Sequence, residues 1–145
     1  MPDPASTARQ VARFMSERDQ FARLLGIQLL EVRPGYSRAA MQITPLMLNG
    51  HGLPHGAAIF ALADLAFAAA GNSHGQTALA LSMDIHFLRS PNPTARLTAE
   101  AVEVHRGNRT ALYRITVQDD QNNLIAELHG MAYRKKEMFL DNEPA

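Results

Sequence analysis

The chain has 145 residues, enough for one domain that buries its own core. Its 14 basic and 14 acidic residues cancel, which removes the overall charge footprint of a nucleic-acid or anionic-membrane partner. It contains no cysteine, which excludes disulfides, thiolate metal sites and cysteine nucleophiles and fits a reducing compartment. No apolar run reaches the roughly 18–20 residues of a membrane span. Met1–Gln10 lacks the apolar core of a secretory signal, so the expected location is the cytoplasm.

In chain order, Ser6–Leu25 predicts an amphipathic helix. Val11, Phe14, Phe21 and Leu25 recur at helical spacing among Arg9, Arg13, Glu17, Asp19 and Arg23. Ser6 is placed as its N-cap and Gly26 as the glycine that closes it. Ile27–Arg33 and Tyr36–Thr44 read as two strands of a hairpin turning at Pro34-Gly35. Pro45–Pro54 is loop, Gly56–Ala70 a helix, and Gly71–Gly75 its stop. Thr77–Arg89 alternates Leu79, Leu81, Met83, Ile85 and Phe87 with Ala80, Ser82, Asp84 and His86. That pattern predicts one core face and one more polar face. Thr94–His105 and Thr110–Gln118 follow as strands joined across Arg106–Arg109, and Leu124–Lys135 is the last strand after a turn at Asp119–Asn123.

The order is an outer helix, two strands, a buried helix and four strands, with no strand–helix–strand alternation. This is α+β with an antiparallel sheet. A helix of about 15 residues is roughly 23 Å long, and strands of about ten residues reach roughly 33 Å, so a twisted sheet can curl around that helix. One sheet leaves part of the helix uncovered, and a second subunit is the expected cover. The expected division is a helical extension over 1–26, one domain over 27–136 and a loose tail over 137–145.

The helix after Gly56 is apolar on nearly every face and carries one charge, Asp64. Its neighbours three and four residues away are Phe60, Ala61, Phe67 and Ala68, none able to pair with it. A carboxylate placed there is costly unless it reaches a wet cleft, where it serves as general base or nucleophile. His55-Gly56 opens the same helix, whose first N–H groups lack internal acceptors and carry the positive end of the dipole. A glycine there admits a substrate oxygen, the requirement of an oxyanion hole. Gly56 and Asp64 lie eight residues apart, roughly 12 Å along one axis. If both act on one carbonyl, two antiparallel helices related by a two-fold axis must share the site.

Other residues divide between chemistry and structure. His51 and His55 have a chelating spacing, but Gly52 and Pro54 intervene and no third ligand is evident, so no metal is expected. Ser73-His74 reads as helix-terminating rather than as a nucleophile–base pair. Asn49 is either a turn former or a donor to water or carbonyl. Arg89, Arg106, Arg109, Lys135 and Lys136 lie at strand ends and turns, where bases can also collect a phosphorylated ligand.

Asn49-Gly50-His51, His55-Gly56, Phe60–Asp64, Ala66-Phe67-Ala68, Asn72-Ser73, Ile85–Arg89, Gly107–Thr110 and the final strand His129–Arg134 together resemble the PaaI-type hotdog-fold acyl-CoA thioesterases. The resemblance spans about Gly26–Lys135. It implies a hotdog fold: a curved antiparallel sheet wrapped around one long central helix, here with an N-terminal helix. It also implies hydrolysis of a CoA thioester, of an aryl (phenylacetyl-type) or medium-chain acyl group, with CoA as part of the substrate and no separate cofactor. By the same resemblance Asp64 activates water or attacks directly, and the Gly56 N–H polarises the thioester carbonyl from the opposite subunit. Asn49 and His55 position carbonyl and water. Arg89 and Gly107, Asn108, Arg109 and Thr110 lie where such proteins meet the CoA nucleotide. Some relatives add a serine on the next strand, a place for Ser82 or, in another register, Ala80. The implied assembly is a homodimer, commonly doubled into a homotetramer. Where the family usually reads HGG, this chain has His55-Gly56-Ala57.

Two other functions fit the same fold: a non-catalytic acyl-CoA sensor or scaffold, and an enoyl-CoA hydratase or dehydratase. The second works with a central His/acid pair, and the lone Asp64 argues against it.

Overall fold

The computed structural model describes residues 3–141. The N-terminal segment forms two helices, α1 (Pro4–Arg18) and α2 (Gln20–Leu25), instead of one from Ser6 to Leu25. Asp3 replaces Ser6 as the N-cap: its carboxylate accepts the Ser6 N–H at 3.3 Å, and Pro4 occupies the first turn. Asp19 breaks the helix by adopting extended backbone (φ −80°, ψ 99°) and capping α2 through the Ala22 N–H at 2.9 Å. Gly26 closes α2 in the left-handed region at φ 69°, as the sequence predicted.

Six strands and a long helix follow: β1 (Gln28–Arg33), β2 (Tyr36–Gln42), α3 (Gly56–Asn72), β3 (Gln76–Phe87), β4 (Arg96–Arg106), β5 (Thr110–Gln118) and β6 (Leu124–Met138). Every neighbouring pair is antiparallel, in the order β1-β2-β4-β5-β6-β3. α3 packs against all six strands, giving the hotdog arrangement. Leu62, Ala63, Ala66, Ala69 and Ala70 are fully enclosed.

Specific contacts fix α3 in the sheet. Gly130 on β6 lies under the Phe67 ring, and a Cβ there would come within 2.9 Å of it. The ring also meets Tyr113 edge-on at 5.6 Å. At the far end Asn72 bonds the Ala68 carbonyl at 2.8 Å and the Ala78 N–H at 2.8 Å, tying helix to β3. Ser73 is the buried C-cap: its hydroxyl donates to the Ala70 carbonyl and accepts the Gly35 N–H at 2.8 Å. Among the described residues no buried side-chain polar atom lacks a partner.

Two expectations about the strands need correction. Only part of the apolar face of β3 is core within this chain: Met83 and Ile85 are half-buried and pack against the core. Leu79, Leu81 and Phe87 are 54%, 59% and 53% exposed, because β3 is the last strand of the sheet and the wrapping ends there. The C-terminal stretch is also more ordered than a loose tail. β6 continues to Met138, and Phe139–Asp141 forms a 3₁₀ turn. The Phe139 N–H bonds the Gly75 carbonyl at 2.7 Å, and its ring meets Phe14 at 5.0 Å. The rest of the expected tail, Asn142–Ala145, lies outside the described residues. Among the described residues no helix is long and apolar enough to cross a membrane.

The Gly130–Phe67 contact is testable. Gly130→Val forces the ring out of a packed position and is expected to lower stability by about 1–3 kcal/mol in urea denaturation. An unchanged midpoint would show that α3 does not rely on this close approach.

Candidate active site

The site begins where the loop between β2 and α3 meets the helix. Asn49 organises that loop: its side-chain oxygen accepts the His51 N–H at 2.9 Å and the Leu53 N–H at 3.1 Å. A bridge between Leu48 and Pro54 closes the loop's neck. The side-chain oxygen of Asn49 thus forms the turn, while its side-chain NH₂ makes no further hydrogen bond among the described residues and is left as a donor.

His55 is the N-cap of α3. Its Nδ1 accepts the Ala57 N–H at 3.1 Å, which leaves Nε2 as the ring's other polar atom on an exposed side chain. The Gly56 N–H at the first helical position has no partner among the described residues. The helix start therefore keeps one unused donor at the positive end of the dipole. Gly56 is packed beside Phe87, at the far end of β3: a Cβ at residue 56 would lie 3.2 Å from that ring.

Asp64 stands on the one open stripe of α3. Ala57 and Asp64 are exposed, and Phe60, Ala61 and Ala68 are half-buried, while the remaining faces meet the sheet. No hydrogen bond or ion pair reaches the carboxylate among the described residues. Apolar groups crowd it on both sides. One cavity of about 240 Å³ joins it to Phe67, Ala68, Leu79 and Ala80, and another of about 230 Å³ joins it to Phe21, Phe60 and Leu65. This partial desolvation raises the carboxyl above the ordinary aspartate range even though it reaches solvent, and the negative charge of Asp19 adds to the rise.

The remaining candidates divide by position. Ala80, not Ser82, lines the Asp64 cavity, because the ladder to β6 shifts register between those two residues. Ser82 is exposed elsewhere on the edge strand. Gly107, Asn108, Arg109 and Thr110 form the turn from β4 to β5, closed by the Gly107 N–H to the Thr110 carbonyl at 2.8 Å. An open groove of about 880 Å³ runs beside it, lined in part by His74, Gln76, Arg106, Asn108 and Arg134. Arg89 is at the opposite end of β3, donating to the Asn123 side chain at 3.0 Å. One chain therefore does not bring Arg89 to that turn. His51 is exposed, and among the described residues no group of three or more His, Asp or Glu could hold a metal ion.

Sequence reasoning missed a cluster at the end of α3. Arg106 donates to His74 Nδ1 at 2.6 Å, and His74 Nε2 donates to Glu103 at 2.5 Å, which Tyr113 also bonds at 3.1 Å. Burial pushes Glu103 up, but these hydrogen bonds and the nearby Arg106 outweigh it and hold the carboxyl below its ordinary value. Twenty-nine residues separate His74 from Glu103, so only the fold pairs them. The α2 residues beside Asp64 were missed as well, since Phe21 reads as one more apolar position of a helix.

The sequence profile of the Thioesterase superfamily matches residues 51–126, which include Gly56 and Asp64. The acyl-coenzyme A thioesterase PaaI of Escherichia coli K12 is 39% identical over 88% of this chain and 91% of its own. The structure of the E. coli PaaI protein, from the phenylacetic acid degradation operon, superposes with a TM-score of 0.91 over 94% of this chain and 99% of that one, at 37% identity. A protein of Archaeoglobus fulgidus is 41% identical over 90% of this chain and 84% of its own. The structure of a Thermus thermophilus protein matches with a TM-score of 0.78 and 40% identity, covering 81% of this chain and 99% of that one. The chain belongs to the thioesterase superfamily, as a PaaI-type thioester hydrolase of the hotdog fold.

Proposed function

We propose that the protein hydrolyses an acyl-CoA thioester to a free acid and CoA, at a site built from two subunits. The observation that carries this is on one helix: among the described residues, α3 offers an N–H at Gly56 and a single acid at Asp64 that have no partner and lie too far apart to serve one carbonyl. The likeness to the E. coli thioesterase, which acts on acyl-coenzyme A, supplies the substrate class.

Pairing across β3 resolves the distance. Its exposed apolar edge can add a second copy of itself antiparallel, continuing the sheet and covering Leu79 and Leu81. Gly56 belongs to the Phe87 end of β3, whereas Asp64 shares a cavity with Leu79 and Ala80 near its start. A two-fold axis therefore brings Gly56 to face Asp64 of the partner subunit. It also brings Arg89 toward the partner's Gly107–Thr110 turn, where both can meet the phosphates of the CoA nucleotide. The dimer is part of the proposal, and a further dimer of dimers is compatible with it.

In the reaction, the Gly56 N–H donates to the thioester oxygen as it gains charge. His55 and Asn49 stand in the same loop and orient carbonyl and water. The Asp64 carboxylate removes a proton from water as its oxygen bonds to the carbonyl carbon; the tetrahedral adduct collapses, the C–S bond breaks and the CoA thiolate leaves to be protonated. Direct attack by Asp64 gives instead an anhydride that water then hydrolyses. Ser82 stands outside the Asp64 cavity of its own chain and is assigned no step.

Asp64 must be ionised for either route, and its pKa is raised, so activity is expected to fall with acid around a midpoint above the ordinary aspartate value of about 3.9. Asp64→Asn is expected to cost about 10²–10⁴-fold in kcat with the fold unchanged. Thiol release from acyl-CoA across pH checks both; full activity in a folded Asp64→Asn protein would refute the role. On the edge strand, Leu81→Lys is expected to give a folded monomer that has lost activity, measured by sedimentation together with thiol release. A fully active monomer would contradict the shared site.

A further inference from the structure

We infer that the N-terminal helical pair forms the end wall of the acyl pocket, with Phe21 setting the size of acyl group that the enzyme accepts. This rests on the thioester reading of Asp64 and carries it to the selectivity of that site. The acyl and pantetheine arms leave a thioester carbonyl in opposite directions, and two cavities flank Asp64. The one toward β3 includes Asn72 and Ala132, and Ala132 pairs with Ala111 beside the Gly107–Thr110 turn. That side leads to the nucleotide end of the substrate. The cavity left for the acyl group is the partly open one lined by Asp19, Phe21, Ala22, Phe60, Ala61 and Leu65.

Its volume, about 230 Å³, is below the roughly 300–1,000 Å³ of sites that hold a whole drug-sized ligand. It suits the acyl end alone. The helix break places the wall: Asp19 turns the chain out of α1 and caps α2, bringing Phe21 over the open stripe of α3. Phe21 is 60% exposed and absent from the core, so the fold does not account for a phenyl ring at this place. Behind it lies a second cavity of about 480 Å³, extending toward Met15, Gly26 and Leu30. Asp19, Ala22, Ile27 and Leu65 line both cavities and form the septum between them. A longer acyl chain that displaces this septum gains the second space. α1 and α2 lie outside residues 51–126, the part matched by the superfamily profile, so this wall is separate from the matched region that carries Asp64 and Gly56.

The test compares wild type, Phe21→Ala and Phe21→Trp on a panel of acyl-CoAs from acetyl to long-chain and aryl. Inhibition by CoA thioethers of graded length is measured in parallel, and thermal melting serves as the folding control. Phe21→Ala is expected to raise the kcat/KM ratio of bulky over small acyl groups by about tenfold or more, and Phe21→Trp to lower it, with thioether affinities moving the same way. Superimposable profiles for the three proteins, with the wild type active, would overturn this wall and leave the hydrolase reading intact. A wild type that releases no thiol from any member of the panel would overturn both.

Discussion

An apolar helix with a single acid is the constraint on which the rest of the structure depends. α3 has almost no polar face to offer water, so the sheet must curl around it and meet it with every strand. The enclosure is incomplete along one stripe, from Ala57 to Ala68, and at one sheet edge, β3. Those two openings hold the features that folding does not explain: the N–H of Gly56 and the carboxylate of Asp64, neither with a partner among the described residues, and exposed leucines on a long edge strand. In the proposed dimer, a second copy covers that edge and assembles the chemistry in the same step.

The electrostatics follow from the same geometry. Asp64 is crowded by Phe60, Phe67 and Leu65 without being paired, so burial disfavours its charged form and Asp19 adds like-charge repulsion. A carboxylate held this way is a stronger base than a free one, at a cost in stability. Glu103 shows the opposite balance. His74, Tyr113 and Arg106 surround it, and it serves to fasten the end of α3 to β4 and β5. One carboxylate is left unpaired among the described residues and the other is satisfied, a contrast that sets the chemistry proposed for Asp64 apart from the structural role of Glu103.

Much of this was legible in the residues. The apolar run after Gly56, the Gly-rich stop read at Gly71–Gly75 and the period-two strands placed α3 and all six strands, with α3 running two residues further, to Asn72, and the isolation of Asp64 was visible from its helical neighbours. What escaped had physical reasons. Asp19 looked like one charge on a helical surface, because a cap inside a charged helix resembles any other acid until its backbone turns. Alternation in Thr77–Arg89 identified a strand but not how much of its apolar face the core reaches, since Met83 and Ile85, which pack on the core, and Leu79 and Leu81, which are exposed, have the same pattern. Ser82 and Ala80 exchanged places through a register shift that no spacing announces. The His74–Glu103 pair joins distant segments and needed the fold.

The central claim is that one carbonyl is held by Gly56 of one subunit and attacked from Asp64 of the other. Complementation between two inactive variants tests it most directly. Asp64→Ala removes the acid, and Gly56→Pro removes the N–H at a first helical position whose backbone suits proline, with the Phe87 ring, 3.2 Å from a Cβ there, shifting slightly to admit it. Refolded together in equal amounts, the two are predicted to recover about a quarter of wild-type thiol release, because half the dimers are mixed and each mixed dimer has one complete site. If each chain carries its own complete site, the mixture stays as inactive as either variant alone, and that result would contradict the account.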